Sequence, residues 1–342
     1  MRPCIFPSPA LWACLAAIAL GDVVLMAAGG FRLVGYSAVL ITAVSVSAWG
    51  LGYFYATARP DERIAALAFS AAYLIPYTLV AAILSYLGTS LNMPLNDAQF
   101  ARADAALRLD WLAVLQFTDA RPMLGVLLRL AYHSSMVQMV ALFIVLAATL
   151  QLTRLADFLA LFTATSLVTI LVSVLLPSVG AFVFYDPPAA LRGVVGQDAG
   201  IWHLAHFEAL RSGAMRAIDP STIEGLITFP SFHTALAVII AWGFWRTRYL
   251  ALPVLALNGV VIAATVPVGG HYFVDVFAGA GIAGACIAVL GWRRSAVRPA
   301  GTAVRSALQR WPGLLPDWGF ARAAQLTPLH GPVNRPVTEN HQ

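Results

Sequence analysis

Eight apolar stretches constrain this 342-residue chain more than any other feature. They run at roughly 10–29, 33–57, 64–88, 123–149, 156–184, 231–247, 249–268 and 271–292. A hydrocarbon core about 30 Å thick takes ~20 residues of helix to cross. In lipid every backbone N–H and C=O must be bonded internally, which leaves helices or closed barrels. Runs of this length are far too long for barrel strands. The expected fold is therefore all-α, a polytopic membrane helical bundle of about eight spans. Composition agrees: 60% of residues are hydrophobic and 11% are charged, against about 25% charged in a soluble domain. The first stretch resembles a signal peptide, but it lacks a small-residue cleavage site and a second span follows at once. It is expected to stay as a span. No internal repeat marks a transporter built of inverted halves.

All 21 basic residues are arginine. One set of connections holds Arg59, Arg63, Arg154, Arg246 and Arg248, then Arg293, Arg294, Arg298, Arg305 and Arg310. The positive-inside rule places this set in the cytoplasm. The 89–122 and 185–230 segments and the short 268–271 link then face outward. The net charge of +5 is scattered rather than gathered into a nucleic-acid footprint, so no nucleic-acid partner is expected. Three segments follow: 1–88 as added N-terminal spans, 89–292 as a catalytic membrane domain, and 293–342 as a mostly irregular cytoplasmic tail. That tail has one short amphipathic piece near 302–311 and carries His330 and His341, which receive no role. Cys4, Cys14 and Cys286 lie in or beside apolar runs and form neither a disulfide framework nor a metal cage.

Chemistry collects at the starts of the sixth and eighth spans, which alternation puts on one side. Pro230-Ser231-Phe232-His233-Thr234 opens the sixth. A helix start with a Ser231 cap offers free N–H groups and the positive end of a dipole, which suits an anion. Gly269-Gly270-His271-Tyr272-Phe273-Val274-Asp275 opens the eighth. His271 and Asp275 are four residues apart, on one helix face. The carboxylate fixes the imidazole tautomer and stabilises its cation. An intramembrane carboxylate is expensive and points to function. The set suits phosphoryl transfer without metal or cofactor: His271 as nucleophile, Asp275 orienting it, and His233 as proton donor to the leaving oxygen and later base toward the acceptor.

These two motifs resemble those of the type 2 phosphatidic acid phosphatase superfamily, whose later motifs read Pro-Ser-x-His and Ser-Arg-x5-His-x3-Asp. The resemblance implies that Ser231 binds phosphate, His233 donates the proton, His271 attacks and Asp275 orients it. Phe232 replaces the usual glycine. The Ser-Arg pair falls on Ala264-Thr265. Arg121-Pro122 ends a would-be Lys-x6-Arg-Pro whose lysine position is Val114. FPS-x-H and GxHY-x2-D without the arginine, with "RLDWLAVLQF" and "GLITFPSFHTALA", resemble the inositol phosphorylceramide synthase-like (inositolphosphotransferase) branch and its bacterial members. The resemblance spans roughly residues 90–292 and implies a six-helix phosphatase-like core in a bacterial inner membrane. It implies a lipid phosphatase or phosphotransferase acting at the outer face on a phospholipid or lipid (pyro)phosphate, with water or an alcohol such as inositol as acceptor. Membrane lipids and the lipid phosphate are the expected partners. The alternative is a transporter or flippase passing an anionic lipid through the same polar pocket.

A transferring phosphoryl group needs a cation. Arg211, just ahead of the sixth span, is the first candidate for that phosphate contact, and Arg129, one turn before His133, is the second. Arg192 and Arg216 are expected at headgroups or solvent. His203 and His206 have a metal-like spacing, but only Asp198 and Glu208 lie near, so loop or interfacial residues are expected rather than a metal site. Trp111, Trp202, Trp242, Trp245 and Trp292 suit an interfacial belt. Tyr132, Ser134 and Gln138 suit interhelical hydrogen bonds.

Overall fold

The computed structural model describes residues 6–193, 195 and 199–297. Cys4, Asp198, Arg298, Arg305, Arg310, the 302–311 piece, His330 and His341 lie outside the described residues. Residues Met1–Gly291 form one compact unit; a second begins at Trp292. The protein is an all-α polytopic membrane bundle. In chain order its helices are α1 (Pro9–Gly29), α2 (Ser37–Thr57), α3 (Glu62–Thr89), α4 (Asp97–Ala106), α5 (Trp111–Asp119), α6 (Pro122–His133) and α7 (Ser135–Ala148). There follow α8 (Leu152–Leu175), α9 (Ala181–Tyr185), α10 (Leu204–Arg211), α11 (Phe232–Phe244), α12 (Ala251–Thr265) and α13 (Phe273–Val297).

Among the described residues five helices, α1, α2, α3, α8 and α13, are long and apolar enough to cross a membrane, and α6 with α7, bent by 45°, makes up to six if the pair counts as one span. The bend falls at Ser134, whose hydroxyl bonds back to the Ala131 carbonyl at 2.6 Å while Gln138 Nε2 donates to it at 2.8 Å. A side chain competing for the helix ladder is a standard cause of such a kink. The expected fifth span is shifted: it starts at Leu152 and ends at Leu175. Pro177 disfavours helical backbone at Leu176, which sits at φ −130°, ψ 65°. The sixth and seventh expected spans are short, 13 and 15 residues, or about 20 and 23 Å. The chain on either side of them turns into the bundle instead of extending the helices.

The core joins α3, α7, α8 and α11 around Tyr73, Tyr77, Leu142, Phe158, Phe162 and Ile239. Polar pairs bind these apolar surfaces in register: Tyr73 Oη meets Thr163 Oγ1 at 2.8 Å, and Asn258 Nδ2 of α12 donates to Gln138 Oε1 of α7 at 2.7 Å. Such bonds are useful between helices that gain nothing hydrophobic over lipid.

Connections cluster at the two ends of the bundle. At one, Arg154 donates to the Trp242 carbonyl and is an electrostatic neighbour of Arg246. At the other, a two-residue strand β1 (Arg32–Leu33) pairs in parallel with β2 (Ala217–Ile218), tying the α1–α2 link to the long segment before α11. The same end holds α4, α5, α9, α10 and the α12–α13 link. Trp111, expected at an interface, is only 1% exposed and donates its indole N–H to the Val266 carbonyl at 3.3 Å. Its apolar body and single donor are both satisfied inside this packed end.

Two acidic residues of α4 organise this end. Asp97 and Asp104 are seven residues apart, two turns, and so share a helix face. Both are buried. Asp104 accepts from the backbone N–H of Phe273 at 2.8 Å and of Val274 at 2.9 Å. It therefore caps the start of α13 from another helix, satisfying donors the helix cannot bond itself. Burial raises the Asp104 carboxyl above its ordinary range, and these two bonds pull it back. Asp97 accepts from Ser178 Oγ at 2.6 Å, the Val179 and Gly180 N–H groups at 3.2 and 3.1 Å, and Tyr272 Oη at 3.1 Å. Asp104→Ala should destabilise the protein by about 1–3 kcal/mol, with Asp104→Asn milder because one oxygen remains. Thermal unfolding in detergent reads the effect; an unchanged midpoint for the alanine variant contradicts the capping role.

Candidate active site

Both sequence motifs converge on one end of the bundle. Ser231 caps α11 as expected: its Oγ accepts from the Thr234 N–H at 3.3 Å and from the Thr234 hydroxyl at 3.1 Å. Its own N–H donates to the Asp275 carbonyl at 3.0 Å, so the α11 start is fastened to α13. The contact is close enough that a Cβ on Gly279 would lie 2.2 Å from the Ser231 carbonyl oxygen. Ser231 is fully buried.

His271 stands just before α13. Its Nδ1 lies 3.3 Å from Asp275 Oδ2, and its backbone N–H donates to the Thr265 carbonyl at 3.2 Å. Asp275 Oδ2 also accepts from the Tyr272 N–H at 2.9 Å. His271 is 3% exposed and Asp275 not at all. Gly269 and Gly270 make this turn. A Cβ on Gly269 would meet the Thr265 carbonyl oxygen at 2.7 Å and the His271 ring at 2.8 Å; Gly270 adopts φ +70° and presses against Gly200 and Phe182. Only glycine fits both demands.

His233, in the first turn of α11, stacks on Tyr132 with ring centroids 4.1 Å apart and shares a hydrogen bond from its Nδ1 to Tyr132 Oη at 3.0 Å. With Nδ1 held, Nε2 is left for chemistry. Tyr132 was expected to form an interhelical hydrogen bond, and it does so from α6 to His233 of α11. His233, His271, Tyr132, Gly269 and Thr228 line a cavity of about 390 Å³. Aromatic and aliphatic side chains of α3, α8 and α11 complete one wall, and Glu224 contributes a carboxylate to another.

Neither arginine expected to bind phosphate reaches this wall. Arg211 lies over the Phe207 ring at 5.3 Å and faces Asp97; burial pulls its guanidinium down and Asp97 opposes that. Arg129 is half-buried on α6. Ala264 and Thr265, where a motif arginine would fall, are both fully buried at the end of α12. Trp202, expected near an interface, also lines the cavity. His203, expected in a loop or at the interface, lies in the turn before α10, is 5% exposed and lines the cavity. Among the described residues no three His, Cys, Asp or Glu side chains are grouped to hold a metal ion.

A paired-histidine cavity closed by a buried carboxylate, inside an all-α membrane bundle, defines a membrane phosphatase-like protein. Residues 98–289, more than half of the chain, match the family model of the PAP2 superfamily, and the chain belongs to that superfamily. No curated protein and no solved structure matches it. Members of the superfamily are phosphatases or phosphotransferases. Tyr132→Phe should keep the stacked ring but lose the bond to His233, and so lower turnover about fivefold to tenfold with the fold intact. Initial rates on a lipid phosphate check this; a rate equal to wild type contradicts a role for Tyr132 in orienting His233.

Proposed function

We propose that this protein is a lipid phosphatase or phosphotransferase working through a phosphohistidine at His271. The observation that carries the proposal is the convergence of His271, backed by Asp275 at 3.3 Å, and His233, held by Tyr132, on one cavity. The His271 ring also hydrogen-bonds the Thr228 backbone; once Nε2 gives up that bond and its proton, it attacks phosphorus while Asp275 holds Nδ1 and stabilises the positive ring. His233 gives a proton to the departing oxygen. In the second half it takes a proton from the acceptor hydroxyl, which attacks the phosphohistidine and frees His271. Ser231 does not itself line the cavity; it caps α11, whose start offers neutral donors to the phosphoryl oxygens.

Branch and acceptor follow from the departures in the motifs. Phe232 in place of glycine and Ala264-Thr265 in place of Ser-Arg support the inositol phosphorylceramide synthase-like branch, with an alcohol or polyol acceptor and a bacterial inner-membrane home. Residues 1–88 are then spans added to a catalytic domain of 89–292. The substrate is a phospholipid or lipid (pyro)phosphate, which the largely apolar cavity wall suits. The arginines at the far end of the bundle, Arg154 and Arg246, support an outward-facing site with the C-terminus in the cytoplasm.

Purified protein incubated with phospholipids and lipid pyrophosphates, with and without inositol, tests the proposal by mass spectrometry of products. His271→Ala and His233→Ala should each lower turnover by about three orders of magnitude or more, and Asp275→Asn by less. Activity close to wild type in either histidine variant contradicts the mechanism. Lipid movement that survives His271→Ala in vesicles would favour the transporter alternative. For orientation, single cysteines replacing Ser221 and Arg248 in a cysteine-free background should label from opposite sides. Labelling of position 221 from the cytoplasmic side overturns the outward site.

A further inference from the structure

Three histidines reach the cavity, and the mechanism above uses two. His203 lies immediately ahead of α10, on the same wall as His271, and the two rings are electrostatic neighbours. Its ring forms a hydrogen bond with the Val179 backbone, while Nε2 is buried with no partner among the described residues. The bond to Val179 is therefore Nδ1–H to the carbonyl oxygen. Val179 belongs to the turn that Asp97 grips through the Val179 and Gly180 N–H groups. His203 is thus aimed by the same device that fixes the start of α13. A buried ring nitrogen without a partner costs free energy. His203 and His271 both line the cavity, and Nε2 is the ring atom of His203 left without a bond.

The site also lacks a permanent cation. The chain has no lysine, among the described residues no arginine lines the cavity, and the motif positions are the buried Ala264 and Thr265. Phosphoryl transfer spreads negative charge over the non-bridging oxygens, and stabilising that charge is most of the catalysis. We propose that His203 is the missing cation, contacting the non-bridging phosphoryl oxygens through Nε2–H where an arginine would otherwise reach. The proposal rests on the phosphotransferase reading and deepens it.

Proton balance fixes how this works. Burial, then the neighbouring His271, holds the His203 imidazole down to about 4, with the Val179 bond opposing. On its own it is neutral at pH 7. The other titratable groups lining the cavity are His233, Tyr77, Tyr132 and Glu224. An arriving phosphoryl anion favours the charged ring, so His203 takes one proton from solvent as the anion binds. That proton stays on Nε2 through transfer and leaves with the phosphate.

Orthovanadate, a phosphoryl mimic, tests this with the full chain in detergent. Calorimetric titration at pH 7 in buffers of different ionisation enthalpy reads both affinity and protons taken up. Wild type should take up about one proton per vanadate bound. His203→Gln should bind about tenfold more weakly or worse, without the uptake. His203→Arg carries its charge permanently, so it should bind vanadate with no proton uptake, and it keeps the test decisive if the glutamine variant loses its fold. Wild-type affinity and uptake in His203→Gln, or undiminished uptake in His203→Arg, overturns the assignment while leaving the phosphohistidine mechanism standing. Failure of wild type to bind vanadate overturns both.

Discussion

Two buried carboxylates on one short helix hold the site together. Asp104 bonds the first two N–H groups of α13, and Asp97 gathers Ser178, Val179, Gly180 and the Tyr272 hydroxyl. Burying a carboxylate is costly unless it is fully bonded, and here the bonds come from the two segments that carry the chemistry. His271 precedes Tyr272 in the chain, and His203 hangs from Val179. The Ala181 N–H then bonds the Gly270 carbonyl at 2.9 Å, closing the two segments on each other. Neither carboxylate lines the cavity, yet the turn that carries His271 and the Val179 segment that holds His203 are both fixed by α4.

Charge is the second constraint. A site that handles phosphate usually keeps a guanidinium beside it; this one spends the corresponding positions on packing at the end of α12. What remains at the cavity wall is imidazole, whose charge is conditional. A conditional cation spares the protein a buried permanent charge within an apolar bundle, where such a charge is expensive. If His203 is that cation, phosphate binding and proton uptake become one event. Arg211 meanwhile lies over the Phe207 ring and in the field of Asp97, away from the cavity lining.

Much of the fold was legible because lipid leaves few options. Eight apolar runs imply eight apolar helices; five appear at spanning length, the fourth run is split at Ser134, and the sixth and seventh are short. Their ends were less legible. The helix at 152–175 stops at Pro177, a local signal available in the sequence, whereas the break at Ser134 depends on a hydroxyl choosing its own helix as partner. The Ser231, His233, His271 and Asp275 set was visible because spacing and helix starts carry it. Tyr132 and His203 were hidden because their partners are about 100 and 70 residues away in sequence and meet only in three dimensions. Asp97 and Asp104 did leave a trace: two acids seven apart on a short helix between spans, a pattern that marks one face and therefore one shared partner surface. Trp111 was read from chemistry common to interfaces, but its neighbours decided otherwise.

The central claim is a covalent one, and it is tested most directly by stopping turnover and locating the phosphorus. Enzyme mixed with a lipid phosphate and quenched in base should carry a phosphate that is stable to base, labile to acid, and found by mass spectrometry on the peptide containing His271. It should accumulate when acceptor is withheld and vanish when acceptor is added. Phosphate on another residue, or steady turnover with no base-stable phosphoenzyme at any time, would contradict the phosphohistidine mechanism.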